Sequence, residues 1–250
     1  MAIDLLAFGP HPDDIEIGLG GTIARYAAEG RSVVLIDLTR GELGSNGTPA
    51  ERQTEATAAA RVLGASIREN LGWPDGGFAT TEEFVRSAVD AIRRHKPRTV
   101  AVPYWHDRHP DHVRASEVLS SAAFTSALRR YETDREAWRA DWVCYYFIND
   151  GATPSFVIDV SAHYEKKQAA LDCYRSQFGD QWSRAQKDPA DIGDVAAAGD
   201  VTATRLNAPT FRRLIESRDA QFGARAGVLF AEGIVVREPI QRATLLKHPA

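Results

Sequence analysis

Apolar residues recur at two spacings along this 250-residue chain, and the spacings predict alternating strands and helices. Residues 5–8 and 99–102 are short apolar runs, the pattern of interior strands in a mainly parallel sheet. Residues 32–37 read as a further strand. Helical periodicity takes over between them. Residues 22–29 read as helix, and residues 49–63 carry Ala56, Ala59, Ala60 and Leu63 at i, i+3, i+4 and i+7 before Gly64 as a stop. Residues 81–95 set Phe84, Val85, Ala88, Val89 and Ile92 on one face, with Thr81 able to cap and Pro97 beyond the end. Such alternation predicts βαβ units, and so an α/β, Rossmann-like, mainly parallel sheet flanked by helices. Ligands of such sheets bind at the carboxyl ends of the strands.

The second half is less periodic. Residues 113–128 and 161–176 read as helices, and residues 143–148 and 156–160 as strands. Residues 179–209, rich in Asp, Ala, Gly and Gln, carry no element and are expected to form a flexible loop or lid. With no repeat and no low-complexity linker, residues 1–250 are expected to form a single domain; at 27.4 kDa and 44% hydrophobic residues the chain can bury a sizeable core.

Charge then narrows the function. A net charge of −4 and a pI near 6.0 provide no basic field for nucleic acid. No apolar run approaches ~18 residues and the opening lacks a signal peptide's basic flank, so a soluble, cytoplasmic protein with no membrane partner is expected. Cys144 and Cys173 form no CxxC pair, and Cys144 reads as a small core residue.

Two histidine and carboxylate clusters each follow a buried apolar run: HPDD at His11 to Asp14 and RHPDH at Arg108 to His112. A histidine and an aspartate three residues apart on a turn can face one cation, so His11 and Asp14 are candidate metal ligands, with His112 closing the set. Two imidazoles, one carboxylate and an open position suit catalytic zinc, and the same ligands accommodate ferrous iron. Asp13, beside the ligands, is a candidate general base. His109 is placed to stabilise an oxyanion or protonate a departing amine, with Asp111 or another carboxylate holding its ring and raising its pKa. The remaining histidines, His95, His106, His163 and His248, read as ordinary polar residues.

Gly18, Gly20 and Gly21, with Asp37 at the end of the second strand, invite a nucleotide-binding reading. It fails because Ile23 stands where a third glycine would, and HPDD fills the turn that a pyrophosphate would occupy. The glycines are expected instead to permit close helix packing.

The segment LLAFGPHPDDIEIGLGGTIARY together with WHDRHPDH resembles the PIG-L/LmbE family of zinc-dependent N-acetylglucosaminyl deacetylases. DLTRGELGSNGT, AERQTEA, RENLGWPD, YRSQFG and VLFAEG are similar to its branch acting on N-acetylglucosaminyl malate in bacillithiol biosynthesis. The resemblance implies His11, Asp14 and His112 as zinc ligands, Asp13 as base, His109 as oxyanion stabiliser and acid, and Asp111 as its partner. It implies Arg52 and Arg108 at the substrate and Arg139 paired with the catalytic aspartate. It places Phe211, on a segment just before the late helix, where the family has a tyrosine. It further implies a small-molecule N-acetylglucosaminyl substrate and a homo-oligomer, with a hexamer as one form. Other substrates within the class are a chitooligosaccharide, a thiol conjugate or an antibiotic precursor; a non-catalytic nucleotide-binding module is the reading outside it.

Overall fold

The computed structural model of the chain describes residues 2–179 and 202–240. One seven-stranded sheet organises them: β1 (Leu5–Gly9), β2 (Val33–Thr39), β3 (Ile67–Trp73), β4 (Thr99–Pro103), β5 (Trp142–Tyr146), β6 (Phe156–Asp159) and β7 (Ala231–Val235), in the order β3-β2-β1-β4-β5-β7-β6. The first five run parallel, and β7 pairs antiparallel with both β5 and β6. The helices are α1 (Asp14–Ala28), α2 (Pro49–Leu63), α3 (Glu82–His95), α4 (Pro110–Thr125), α5 (Tyr164–Leu171), the short α6 (Arg175–Phe178) and α7 (Pro209–Ala226). This is the expected α/β architecture. Among the described residues no helix is long and apolar enough to cross a membrane.

The central strands are buried on both faces, so two apolar cores flank the sheet. Leu5, Ala7, Val33 and Leu35 face Ile15, Leu19, Ala56 and Leu63 on one side. Leu6, Phe8, Val34 and Val100 face Ala88, Ile92, Val118 and Leu119 on the other. Chain order reverses between β1 and β4: β2 and β3 extend the sheet one way from β1, β4 and β5 the other. The crevice at such a switch point is where ligands of these sheets bind.

Local chemistry explains the boundaries. Helix α2 has its expected bounds because Thr48 and Glu51 form a reciprocal capping box, Pro49 opens the first turn, and Gly64 ends it at φ +78°. Thr81 does precede α3, but its hydroxyl makes no capping bond. Helices α1 and α4 start at Asp14 and Pro110, earlier than their apolar periodicity suggests. The first turn of α4 is built from the HPDH residues, polar where a core-facing pattern would be apolar, while in α1 Gly18, Gly20 and Gly21 interrupt the apolar pattern of Ile15, Ile17 and Leu19. Strand β3 escapes the pattern because its sequence IRENLGW is half-exposed at the sheet edge. Residues 161–176 are broken into a 3-10 turn, α5 and the start of α6. Helix α7 and strand β7 are likewise not evident from periodicity. Most of the expected lid over residues 179–209 lies outside the described residues.

The glycines of α1 do permit close packing: a Cβ on Gly18 would stand 2.2 Å from Tyr146 Cδ2, and one on Gly21 2.6 Å from Val160 Cβ. Asp37 is fully buried and holds Arg68 through two 2.8 Å bonds, so it offers nothing to a ribose. Cys144 is a free, buried core residue.

Candidate metal and catalytic site

The carboxyl ends of β1 and β4 bring the two histidine clusters together. Asp14, first residue of α1, turns its Oδ2 back to accept from the His11 backbone N–H at 2.9 Å and lies 3.1 Å from His11 Nδ1. His112, in the first turn of α4, reaches the same Oδ2 through Nε2 at 3.4 Å. All three side chains are buried, and their ligand atoms lie within 4.8 Å of one another. Tetrahedral ligands ~2.0–2.1 Å from zinc sit about 3.3 Å apart, so the observed spacings fit a divalent cation.

The outward nitrogens have the partners that metal-bound histidines need. His112 Nδ1 is 3.1 Å from Asp107 Oδ1, while His11 Nε2 is 3.0 Å from Asp75 Oδ1 and 3.4 Å from Asp111 Oδ2. Asn149 fixes Asp107 in turn, donating its backbone N–H and side-chain amide at 3.0 Å each. Burial works against charge on both imidazoles, yet the carboxylates prevail: His11 is raised well above its ordinary range and His112 to about 9. Asp14 is pushed far down by the same pairing against its burial, and Asp107 to about 2. The cluster is thus organised around positive charge at its centre.

Asp13 faces elsewhere. Its backbone is left-handed, φ +111°, which is costly for a residue with a Cβ and recurs where function dictates geometry. That turn separates its carboxylate from Asp14's and lays it against Arg52, whose Nη2 is 3.3 Å from Oδ2. Burial raises the Asp13 carboxyl to about 8, with Arg52 opposing and Asp14 adding to the rise.

His109 occupies the N-cap of α4, where its Nδ1 accepts from the Asp111 backbone N–H at 3.2 Å. A neutral ring held that way carries its proton on Nε2. Burial, then the nearby His112 and His11, lower its pKa. The expected pairing with the Asp111 carboxylate is therefore corrected: that group instead accepts from Gly76 N–H at 2.8 Å and Arg114 Nη1 at 2.8 Å, and neighbours His11. His11, His109 and Asp111 form a second grouping with ligand spacing, sharing His11 with the first.

Two arginine expectations also change. Arg52 lines the cleft but is occupied, donating to the carbonyls of Pro12 at 2.6 Å and Gly41 at 3.2 Å as well as to Asp13. It, not Arg139, pairs with the aspartate. Arg139 is exposed just before β5, whose first residue Trp142 registers with Thr99, so it lies at the opposite end of the strands. Phe211 lies within α7, buried and stacked 6.2 Å from Phe178, and lines no part of the cleft. Arg108 does line the cleft, its Nη2 3.3 Å from Asn149 Oδ1.

The cleft encloses about 460 Å³, with Ile17 and Ile148 lining it alongside His11, Asp14 and His112, and Leu43, Thr204, Arg205 and Leu206 among its other lining residues. A larger groove of about 650 Å³ lies at the amino ends of the strands, where Arg98 pairs with Asp4 and Asp141 and no histidine converges. The residue pattern misses Asp107, Asp75 and Asn149. Asp107 stands within WHDRHPDH, Asp75 closes RENLGWPD and Asn149 directly follows the strand expected over 143–148, but residue type alone marks none of the three as part of the site.

A buried His-Asp-His grouping lies at the sheet switch point with a separate carboxylate beside it, and its donor atoms could hold a divalent cation. The family model described as PIG-L, GlcNAc-PI de-N-acetylase, matches residues 6–123. Diacetylchitobiose deacetylase of Thermococcus kodakarensis is 30% identical over 191 residues, covering 70% of this chain and 70% of that protein. The 1D-myo-inositol 2-acetamido-2-deoxy-alpha-D-glucopyranoside deacetylase 2 of Saccharopolyspora erythraea is 30% identical over 239 residues, covering 72% of this chain and 86% of the relative. The crystal structure of a conserved protein from Thermus thermophilus superposes with a TM-score of 0.83 at 36% identity, over 98% of this chain and 100% of that one. The chain belongs to the PIG-L family of N-deacetylases.

Proposed function

We propose that the chain hydrolyses the acetamide of an N-acetylglucosaminyl conjugate, giving a free amine and acetate. The observation that carries this reading is the division of labour between adjacent aspartates: Asp14 turned to His11 and His112, Asp13 turned to Arg52. His11, Asp14 and His112 would hold the cation, zinc in this reading, with ferrous iron fitting the same donors. Bound there, a divalent cation polarises a carbonyl and acidifies water.

The chain's own groups do the rest. Asp13 takes the proton of the attacking water and, as the C–N bond breaks, returns it to the departing nitrogen. Its raised pKa suits both transfers. His109, neutral with its proton on Nε2, donates a hydrogen bond to the carbonyl oxygen as negative charge develops. Asp111 and Asp75 hold His11, and Asp107 holds His112.

The aglycone is the finer part of the proposal. Arg205 is exposed at the cleft and makes no ion pair among the described residues, and Arg108 stands across the same cleft. Two cations at the mouth favour an anionic conjugate, which supports N-acetylglucosaminyl malate of bacillithiol biosynthesis over the neutral sugars named for the relatives. A cytoplasmic homo-oligomer belongs to the same proposal.

Acetate release by zinc-loaded protein tests it across diacetylchitobiose, N-acetylglucosaminyl inositol, N-acetylglucosaminyl malate and free N-acetylglucosamine. The malate conjugate should be turned over fastest. Release from none of the four would overturn the deacetylase reading, and a neutral sugar leading would overturn the malate assignment alone.

A further inference from the structure

Helix α7 sends one arginine between the two halves of the metal-ligating triad without reaching the triad itself. Arg218 Nη2 donates to the Ile17 carbonyl at 2.7 Å, and its Nη1 to the carbonyls of Ile148 at 2.7 Å and Phe147 at 3.2 Å. Ile17 lies on α1, three residues beyond Asp14. Ile148 immediately precedes Asn149, which holds Asp107 and through it His112. One planar guanidinium thus spans the element carrying one ligand and the segment that braces another.

The same turn of α1 is gripped from its other side. In a regular helix the Ile17 carbonyl and the Gly21 N–H serve each other. Here each also has a side-chain partner: Gly21 N–H donates to Glu232 Oε1 at 2.9 Å, and Thr22 N–H to Glu232 Oε2 at 2.8 Å. Lys167 Nζ joins Glu232 to Asp219 through two 2.7 Å contacts, and Asp219 Oδ1 accepts from Arg218 Nε at 3.1 Å. Four charges therefore run in one chain around α1, all of them largely buried. The absence of side chains at Gly20 and Gly21 lets them close in, since a Cβ on Gly20 would stand 2.9 Å from Lys167 Cγ.

A buried ion network is a weak source of stability compared with apolar packing of the same volume, whereas its directional bonds fix positions closely. Apolar side chains at these places would bury as well and would leave the carbonyls of Ile17, Phe147 and Ile148 without this common donor.

We propose that Arg218 is a positioning residue of the metal centre: by tying α1 to the segment before Asn149, it sets the separation of Asp14 and His112 and hence the affinity of the triad for a divalent cation. The inference rests on reading His11, Asp14 and His112 as ligands.

Arg218→Lys keeps a cation beside Asp219, but a single ammonium cannot span both carbonyl groups as the fork does. Zinc affinity of metal-free protein, measured by chelator competition well below its Tm, should fall about 10- to 100-fold, the usual scale for a group that orients a ligand. Wild-type affinity in folded Arg218→Lys, with binding lost in Asp14→Ala, would sink this proposal alone. Wild-type affinity in Asp14→Ala would sink the ligand reading and this proposal with it. Should Arg218→Lys fail to fold, hydrogen exchange on the unaltered chain decides, because coupling is reciprocal. Added zinc should slow exchange in α7 around Arg218 more than in α3, which carries no residue of the site; equal slowing in the two helices would overturn the proposal.

Discussion

Asp13 and Arg52 form a buried pair, Nη2 to Oδ2 at 3.3 Å, in which the arginine also grips the carbonyl of Pro12 directly before the aspartate. Arg52 therefore controls both the position and the charge of Asp13. Burial raises the carboxyl to about 8 and Arg52 counters it, so removing the cation moves that pKa upward. A general base works as the carboxylate, and activity is lost as pH falls through its pKa. Arg52→Ala should accordingly shift the acid limb of kcat/KM to higher pH and lower kcat at neutral pH by at least about tenfold, part of the ~10² to 10⁴ that such a base contributes. Arg52→Lys should restore part of both. An acid limb at its wild-type position in Arg52→Ala would remove Arg52 from this role.

Metal binding should release protons. His11 is held protonated by the carboxylates of Asp111, Asp14 and Asp75, and His112, raised to about 9, by those of Asp14 and Asp107, against the burial of both rings. An imidazole ligand must be neutral, so apparent affinity should rise with pH up to about 9. For the metal-free protein the sign is the reverse in stability: a raised pKa stabilises below the unfolded value near 6.5, and that contribution is lost as pH climbs through about 9. Calorimetry of zinc binding at pH 7.5 in two buffers of different ionisation enthalpy checks this; equal heats would mean that neither ring gives up a proton.

The meeting of the two histidine and carboxylate clusters was legible because HPDD and HPDH follow buried strands, and a parallel sheet sends such ends to one side. Strand β3 was not, since Arg68, Glu69 and Asn70 stand in a row within IRENLGW, which therefore shows neither an apolar run nor an alternation, and the strand end before Asp75 went unseen. The starts of α1 and α4 were obscured by composition: glycines at 18, 20 and 21 interrupt the apolar pattern of α1, and the polar HPDH residues open α4. Arg52 shows a different limit. Periodicity puts it on α2, but only the folded loop shows that its Nη1 and Nη2 groups donate to Gly41, Pro12 and Asp13. The role expected for Arg139 and the place expected for Phe211, before the late helix rather than within it, failed on long-range placement, which no local spacing encodes.

His109 should act as a neutral donor. With Nδ1 occupied by the Asp111 N–H and its pKa lowered by burial and by His112 and His11, the ring offers an Nε2 proton without carrying charge. His109→Ala should lower kcat ~10²- to 10³-fold, the scale for losing one oxyanion donor, while bound metal stays near wild type. His109→Gln retains an amide donor and should recover part of the rate. Because the imidazolium is not the resting form, the basic limb of the pH profile should persist in His109→Gln. Its disappearance would return His109 to the general-acid role, and loss of metal in His109→Ala would make it a ligand.

On the proposed malate conjugate, recognition would fall to Arg205 and Arg108, because Nη1 and Nη2 of Arg52 already donate to the carbonyls of Gly41 and Pro12 and to Asp13, and its Nε is buried. Arg205 is exposed at the cleft and makes no ion pair among the described residues; Arg108 would exchange its 3.3 Å contact with Asn149 for a carboxylate. A charge-assisted bond of this kind is worth ~1.5 to 3 kcal/mol, roughly a factor of 10 to 150, and is discounted toward the low end where water screens it. Arg205→Ala should therefore raise KM for N-acetylglucosaminyl malate about tenfold and leave diacetylchitobiose unchanged, and added salt should reproduce part of that loss in the wild type. Arg108→Ala should act in the same direction, with a smaller net effect because the wild-type guanidinium must first leave Asn149. Equal losses on the charged and neutral substrates would show that these arginines shape the cleft without reading charge, and the malate assignment would then lose its support.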